Sequence, residues 1–248
     1  MSTSEDCCQG ETKASGGCCG GSGAAGGCAC KTAEAIAPLT VEQLEALPSL
    51  QLVARFRRGI ESFDRRVFDL TEEQIDMAFL PDADVGRWPV RVLLGHIADA
   101  DLAAAHRMRR AIAEDHPIFA EWDENAFIDA NLYGNVHDGY SDDPEADHAR
   151  VMNALGGPMA TIHTLRQWTG QWLLTLSEAQ LSRTGMHPTK GPQSVRRIVA
   201  MYVWHLEHHA AFLTKKLDRM LGPVSEQVPE VAIPAVGGGS CGTGCGCR

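Results

Sequence analysis

Four long segments with apolar residues at three- and four-residue steps are the feature that most constrains how this chain folds. In the first segment, Leu52, Phe56, Ile60 and Phe63 fall on one face of a helix. Alternating runs of β-branched residues, which are typical of strands, are scarce. The pattern therefore predicts an all-α fold with helices over residues 48–69, 89–114, 144–176 and 193–221.

The links between these helices differ greatly in length, since residues 70–85 and 116–143 form two long irregular connections. Unequal links are typical of a bundle in which the chain crosses over between helices. We therefore expect an antiparallel four-helix bundle with crossover connections. The run Gly156-Gly157-Pro158 should kink or split the third helix. The pair Asp138-Gly139 lacks flanking strand patterns, which indicates a loop turn and not a hairpin.

Both ends of the chain differ in composition from the helical part. They are rich in small residues and contain all nine cysteines. Such segments cannot bury enough apolar surface to offset the entropy lost on ordering. We therefore predict a disordered Cys/Gly-rich tail over residues 1–37, a helical domain over 38–222 and a flexible tail over 223–248.

The cysteines are spaced closely enough to bind soft metal ions, because thiolates favour Cu(I), Zn(II) or iron–sulfur clusters. This pattern supports an alternative function, in which the protein handles metal or responds to redox conditions through its tails. The alternative is that the tails are flexible and their thiols are merely reduced, without a metal or redox function. The candidate metal or thiol residues are Cys7, Cys8, Cys18, Cys19, Cys28, Cys30, Cys241, Cys245 and Cys247.

Charge and hydropathy exclude several classes of partner. The formal net charge is -10, and no extended basic stripe is present, so we expect no nucleic-acid partner. No apolar run approaches the roughly 18 residues that a membrane span requires, so we expect no membrane partner. The first residues lack the basic and then apolar pattern of a secretory signal, which favours a cytoplasmic location.

Histidines in two of the predicted helices suggest a metal site. His205 and His209 are four residues apart, so their imidazoles share one face of the last helix. His205 with His208 is a geometric alternative. His96 lies in the apolar part of the second helix, and bundles build metal sites from inward side chains of facing helices. Glu207 should point away from His205, so it is not assigned as a general base.

Other polar and aromatic residues could surround this site. Asp99 lies one turn after His96 and could orient a ligand or bound water, or it could be a solvated surface charge. The residues Trp122, Asp123 and Asn125 could line the mouth of the site or plug one end of the bundle.

Two stretches resemble the DinB/YfiT-like superfamily. Residues 88–100, with the sequence WPVRVLLGHIADA, resemble its helix that opens with Trp-Ser and carries a histidine. Residues 204–209, WHLEHH, resemble its closing His-x-x-x-His helix. Pro89 stands where serine is common, which should affect capping of the helix and not metal binding. The resemblance covers residues 50–220.

The resemblance implies a four-helix bundle, a possible homodimer, and His96, His205 and His209 as ligands of zinc, nickel, iron or manganese. It also implies a metal-dependent transferase or hydrolase that acts on a small molecule. Because relatives include thiol-dependent transferases, we expect thiol-linked transfer, with a low-molecular-weight thiol as cofactor. A thiol activated at the metal would attack an electrophilic substrate, and water in its place would give hydrolysis.

Overall fold

The computed structural model describes residues 38–134 and 143–224. Within these ranges the protein is mostly helical, with one small antiparallel hairpin. The α-helices are α1 (Val41–Glu45), α2 (Ser49–Arg57), α3 (Glu72–Ile75), α4 (Val90–Ala113), α5 (Glu124–Asp129), α6 (Pro144–Leu173), α7 (Glu178–Leu181) and α8 (Val195–Leu221). The strands are β1 (Thr184–His187) and β2 (Gly191–Ser194), and short 3-10 helices cover Gly59–Ser62, Arg65–Asp69 and Pro81–Ala83.

The helices α2, α4, α6 and α8 form the bundle, which confirms the predicted fold class. Helix α4 packs on α6 and α8, and α2 packs on the same two helices from the other side. Leu93 and Leu94 at the start of α4 share an apolar cluster with Leu213 and Leu217 near the end of α8. Helices α4 and α8 are therefore antiparallel, and this pairing places His96 opposite the middle of α8.

Helices α4 and α6 instead run in the same direction, because Leu94 and Leu155 from their first halves share one cluster, and Ala104 and Leu173 from their second halves share the other. Two parallel neighbours cannot be joined by a short turn, so the chain must return along the bundle between them. The long connection after α4 is this crossover. It carries α5 and brings residues 121–125 to the histidines.

The last helix begins and ends as predicted. The Ser194 side chain accepts a hydrogen bond from the Arg197 backbone N–H, and Gly222 follows the helix with a φ of 85°. The first predicted helix is wrong beyond Arg57, where α2 ends. Gly59 lies against Arg166, whose Nη1 would be 2.6 Å from an added Cβ, and Asp64 accepts a hydrogen bond from the Arg66 N–H. The contact with the distant Arg166 and the local hydrogen bond of Asp64 favour 3-10 turns over a continuous α-helix.

Of the predicted kink or split in the third helix, the split is not observed, since α6 is continuous through Gly156-Gly157-Pro158. The proline removes one backbone hydrogen bond, but Val151, Leu155 and Ile162 are all fully buried on one side of the helix. Tertiary packing of this face outweighs the local weakness.

The hairpin was not predicted, because Thr184–His187 and Gly191–Ser194 contain few residues that favour strands. It forms through tertiary contacts with the crossover connection. Met186 and Ile118 form a bridge, and the Phe119 N–H donates to the Met186 carbonyl at 2.8 Å. An added Cβ on Gly185 would lie 2.2 Å from the Phe119 ring, so the glycine allows this close approach.

Three predictions concern residues outside the described ranges: metal or thiol chemistry at the nine tail cysteines, the loop turn at Asp138-Gly139, and disorder of the two tails. No helix within the described ranges is both long enough and apolar enough to cross a membrane.

Candidate metal centre

Three histidine side chains converge between α4 and α8. The Nε2 atom of His205 lies 3.0 Å from Nε2 of His96 and 3.1 Å from Nε2 of His209. All three residues offer ligand atoms within 4.8 Å of one another. A tetrahedral ion with bonds of about 2.0–2.1 Å holds its nitrogen ligands about 3.3 Å apart. The three rings therefore fit one divalent ion after a small outward movement.

Burial keeps these histidines neutral. It lowers the pKa of His96 to about 4 and that of His209 to about 3, and it holds the pKa of His205 well below its usual range. The neighbouring His209 and His96 depress the pKa of His205 further. A neutral imidazole has a lone pair that can bind a metal, whereas a protonated one does not. The donor set is thus in its metal-binding form at neutral pH.

The second ring nitrogen of each histidine, Nδ1, also fits a metal site in which Nε2 binds the ion. The Nδ1 atoms of all three histidines are buried and make no hydrogen bond within the described residues. Glu124 at the start of α5 comes nearest to one of them, with Oε2 at 3.9 Å from Nδ1 of His96. When Nε2 binds a metal, Nδ1 carries the hydrogen, and a nearby carboxylate is its usual partner.

Aromatic rings enclose the cluster. Trp122 stacks on His96 with ring centroids 5.2 Å apart, and Trp88 stacks on His209 with centroids 5.9 Å apart. The alternative ligand His208 is exposed and stacks on Trp204 at 4.7 Å, so it is not part of the cluster. The indoles limit the access of water and hold the imidazole rings in place.

Asp99 does not join the histidine cluster. Its carboxylate lies near the Tyr133 hydroxyl, and burial together with this charge raises the pKa of the tyrosine. The Tyr133 ring rests directly on the backbone of Gly95, where an added Cβ would be 2.3 Å from it. Asp99 therefore faces the docked crossover connection, and its role in orienting a ligand or bound water stays a prediction.

A buried ion pair fixes the helices that carry the histidines. The Arg166 guanidinium donates to both carboxylate oxygens of Asp101, at 2.6 and 2.8 Å, and both side chains are 1% exposed. Arg166 also donates to the carbonyls of Tyr202 and Phe56. The pair thus ties α6 to α4, α8 and α2.

A cavity of about 510 Å³ adjoins the cluster, and His205 forms part of its wall. This volume is within the usual range for small-molecule sites. The predicted residues Trp122, Asp123 and Asn125 line it, so they border the mouth of the site. The Asp123 carboxylate is engaged in capping α5, where it accepts from the Asn125 and Ala126 N–H groups.

Several residues of this region were not predicted as functional. Trp88 opens a stretch that carries the family resemblance, and Glu124 lies between the predicted residues Asp123 and Asn125, so their neighbours in sequence gave a signal that could have identified them. His187 and Arg107 had no such signal. They reach the cavity only because the hairpin and the crossover connection fold against α4.

Comparison with known proteins agrees with this geometry. The family model described as the DinB superfamily matches residues 31–213, and the chain therefore belongs to the DinB superfamily. A "Putative metal-dependent hydrolase" of Halalkalibacterium halodurans is 30% identical over 165 residues, which cover 65% of this chain and 84% of that protein. A second "Putative metal-dependent hydrolase", from Oceanobacillus iheyensis, is 29% identical over 153 residues, which cover 62% of this chain and 76% of that protein.

A solved structure gives the same fold. YfiT from Bacillus subtilis, described as having an unusual four-helix bundle topology, matches with a TM-score of 0.54 at 24% identity. The match covers 74% of this chain and 91% of YfiT. This likeness confirms the four-helix bundle. The relatives are named as metal-dependent, and the chain has a three-histidine cluster suited to a metal ion.

Proposed function

We propose that this protein is a metal-dependent enzyme that hydrolyses a small molecule in the cavity beside His205. The observation that carries the proposal is the convergence of three neutral imidazoles, one buried and two half-buried, beside a substrate-sized cavity that His205 lines. The relatives are named "Putative metal-dependent hydrolase", and this name favours water as the nucleophile.

His96, His205 and His209 would hold the ion through Nε2 and leave coordination positions open toward the cavity. A divalent ion there would lower the pKa of a bound water, so that a nucleophile forms near neutral pH. The protein must then orient the ligands and exclude bulk water. Trp88 and Trp122 cover the imidazoles, and Glu124 can accept the Nδ1 hydrogen of His96 after closing the 3.9 Å gap.

Thiol-linked transfer, predicted from the family resemblance, is the finer hypothesis about the nucleophile. A low-molecular-weight thiol would take the place of water at the same open position, since a coordinated thiol also loses its proton. The metal site and the cavity are shared by both reactions. They differ in the product, which carries either a hydroxyl oxygen or the sulfur of the thiol.

One assay tests both reactions. The full-length protein is incubated with p-nitrophenyl acetate, with and without cysteine, and the products are identified by mass spectrometry. Both reactions release p-nitrophenolate, and rates are compared with the rate without protein. Hydrolysis predicts acetate in both cases. Thiol transfer predicts acetylated cysteine when cysteine is present, with the acetyl group transferred first to sulfur and then migrating to the amine. Both activities should be lost in His209→Ala and kept in the matched control His208→Ala. Equal rates in the two variants would refute a reaction at the three-histidine site.

Function through the cysteine tails remains the alternative from another class, and it concerns residues outside the described ranges. A variant with all nine cysteines changed to serine separates the two. The enzyme hypothesis predicts unchanged activity, whereas a metal-handling protein would lose its metal. A homodimer also remains a prediction, and analytical ultracentrifugation of the full-length protein tests it.

A further inference from the structure

We propose that the end of the cavity away from the histidines is an oxyanion subsite formed by Arg107 and His187. It would select substrates that carry a carboxylate or phosphate group. This inference rests on the proposed function, because the same substrate must present its reacting bond near His205. The subsite itself follows from the partners and positions of the two residues.

Arg107 lines the cavity without a carboxylate partner among the described residues. Its Nη1 donates to the Tyr202 hydroxyl at 3.3 Å, and its Nη2 donates to the Ala120 carbonyl at 2.8 Å. These neutral acceptors hold the guanidinium in place and leave its charge uncompensated and several of its five N–H donors unused. The next arginine on this side of α4, Arg110, is instead neutralised by Glu114 at 2.6 Å.

His187 supplies a second donor with a defined tautomer. Its Nδ1 accepts from the backbone N–H groups of Thr189 and Lys190, at 3.3 and 3.4 Å. The neutral ring must therefore carry its hydrogen on Nε2. The side chain is 8% exposed, and it lines the cavity. Its remaining nitrogen is thus a fixed donor in the same chamber as Arg107.

The charges around His187 favour an anion. Arg107 and Lys190 both depress its pKa, after the larger effect of burial, and Glu121 opposes them with a smaller effect. Lys190 also lacks an ion-pair partner among residues 38–134 and 143–224. Of the other acidic wall residues, Asp123 caps α5 and Glu124 approaches His96. Two cations therefore face one carboxylate at this end of the cavity.

The spacing sets the size of the substrate. Arg107 lies three turns after His96 on α4, about 16 Å along the helix axis at 1.5 Å per residue. One tyrosine separates its guanidinium from the cluster, because Tyr202 contacts Arg107 through its hydroxyl and lies 5.8 Å from His205 between ring centroids. The arginine side chain leans back toward the start of α4, so the distance from its guanidinium to the histidines is shorter than the axial rise. An extended chain of roughly eight atoms, together with its two end groups, spans the remaining distance.

Three probes of this length test the subsite in the zinc-loaded, full-length protein. Each has a hydroxamate at one end, which chelates a metal ion. The other end is a carboxylate in suberic acid monohydroxamate, an amide in its neutral analogue, and a phosphonate in 7-phosphonoheptanohydroxamic acid. Dissociation constants are measured by isothermal titration calorimetry. Comparison of the carboxylate with the phosphonate identifies which oxyanion is preferred.

We expect at least one of the two anionic probes to bind roughly tenfold or more tightly than the amide, because charge-assisted hydrogen bonds to arginine are strong. The ratio between the dissociation constants of the amide probe and the better anionic probe should fall to about one in Arg107→Gln. The same ratio should be unchanged in the matched control Arg110→Gln. His187→Asn, which keeps an acceptor for the two backbone N–H groups, should lower this ratio in part. Thermal unfolding and zinc content verify that each variant is folded.

Equal binding of all three probes to the wild type would overturn the subsite and leave the metal site intact. An advantage that survives in Arg107→Gln would also overturn it. Failure of the proposed function gives a different result. If no metal ion is bound at the three histidines, the neutral amide probe would bind His209→Ala as tightly as it binds the wild type.

Discussion

Removing the charge of Asp101 should destabilise the protein strongly, because it leaves Arg166 as an unpaired cation inside the bundle. Asp101→Asn keeps the size and shape of the side chain. The Arg166 guanidinium would keep its bonds to the Tyr202 and Phe56 carbonyls but would lose the carboxylate that neutralises it. Burial already raises the pKa of Asp101 against the opposing effect of Arg166, which reflects how costly charge is at this position.

The expected cost is about 3–5 kcal/mol, since both side chains are 1% exposed and breaking a buried pair leaves its charge uncompensated. For a protein of this size, the loss lowers the melting temperature by roughly 6–20 °C. Urea unfolding followed by circular dichroism measures the free energy. As a control, Glu61→Gln breaks the exposed pair with Arg58 and should leave the free energy of unfolding almost unchanged.

The double variant Asp101→Leu/Arg166→Met provides a second control. It removes both charges and should be more stable than Asp101→Asn, because no buried charge is left without a partner. The reasoning is refuted if Asp101→Asn unfolds within about 1 kcal/mol of the wild type, or if the double variant is the less stable of the two.

Three further predictions concern titration and packing. Because burial lowers the pKa of His96 and His209 to about 4 and about 3, below the usual 6.5, only the unfolded chain takes up their protons between pH 6.5 and about 4. The metal-free protein should thus lose about 2 kcal/mol per histidine from pH 7 to 5, and His209→Ala should lose correspondingly less in urea titrations. Gly95→Ala should cost about 1–3 kcal/mol through its clash with Tyr133, and the cost should largely vanish in a Tyr133→Ala background. Lys216 is fully buried, and burial lowers its pKa to about 8. Between pH 8 and 10.5 the folded protein has lost this proton while the unfolded chain retains it, so stability rises with pH. The wild type should gain about 3 kcal/mol over this range relative to Lys216→Met.

The fold was predictable where a periodic apolar face coincides with a clear helix boundary. Helix α8 has both, since Ser194 caps its start and Gly222 ends it. The positions of His205 and His209 on one face follow from helix geometry alone. The approach of His96 required knowledge of which helices pack together, and the family resemblance supplied it.

Other features depend on contacts between distant segments, which local patterns do not encode. The hairpin forms against Ile118 and Phe119, more than 60 residues earlier in the chain, and it carries His187 to the cavity. The end of α2 depends on the passage of Arg166 beside Gly59. The surroundings of Asp99 likewise depend on Tyr133, which reaches it through the crossover connection.

The most direct test of the central claim is the metal content of the full-length protein by elemental analysis. The starting variant has all nine cysteines changed to serine, which removes any contribution from the tails. It should keep about one divalent ion per chain, and so should the same protein with His208→Ala. The ion should be lost when His205→Ala and His209→Ala are added. A cysteine-free protein without metal, or a double-histidine variant that keeps the ion, would contradict a three-histidine metal site.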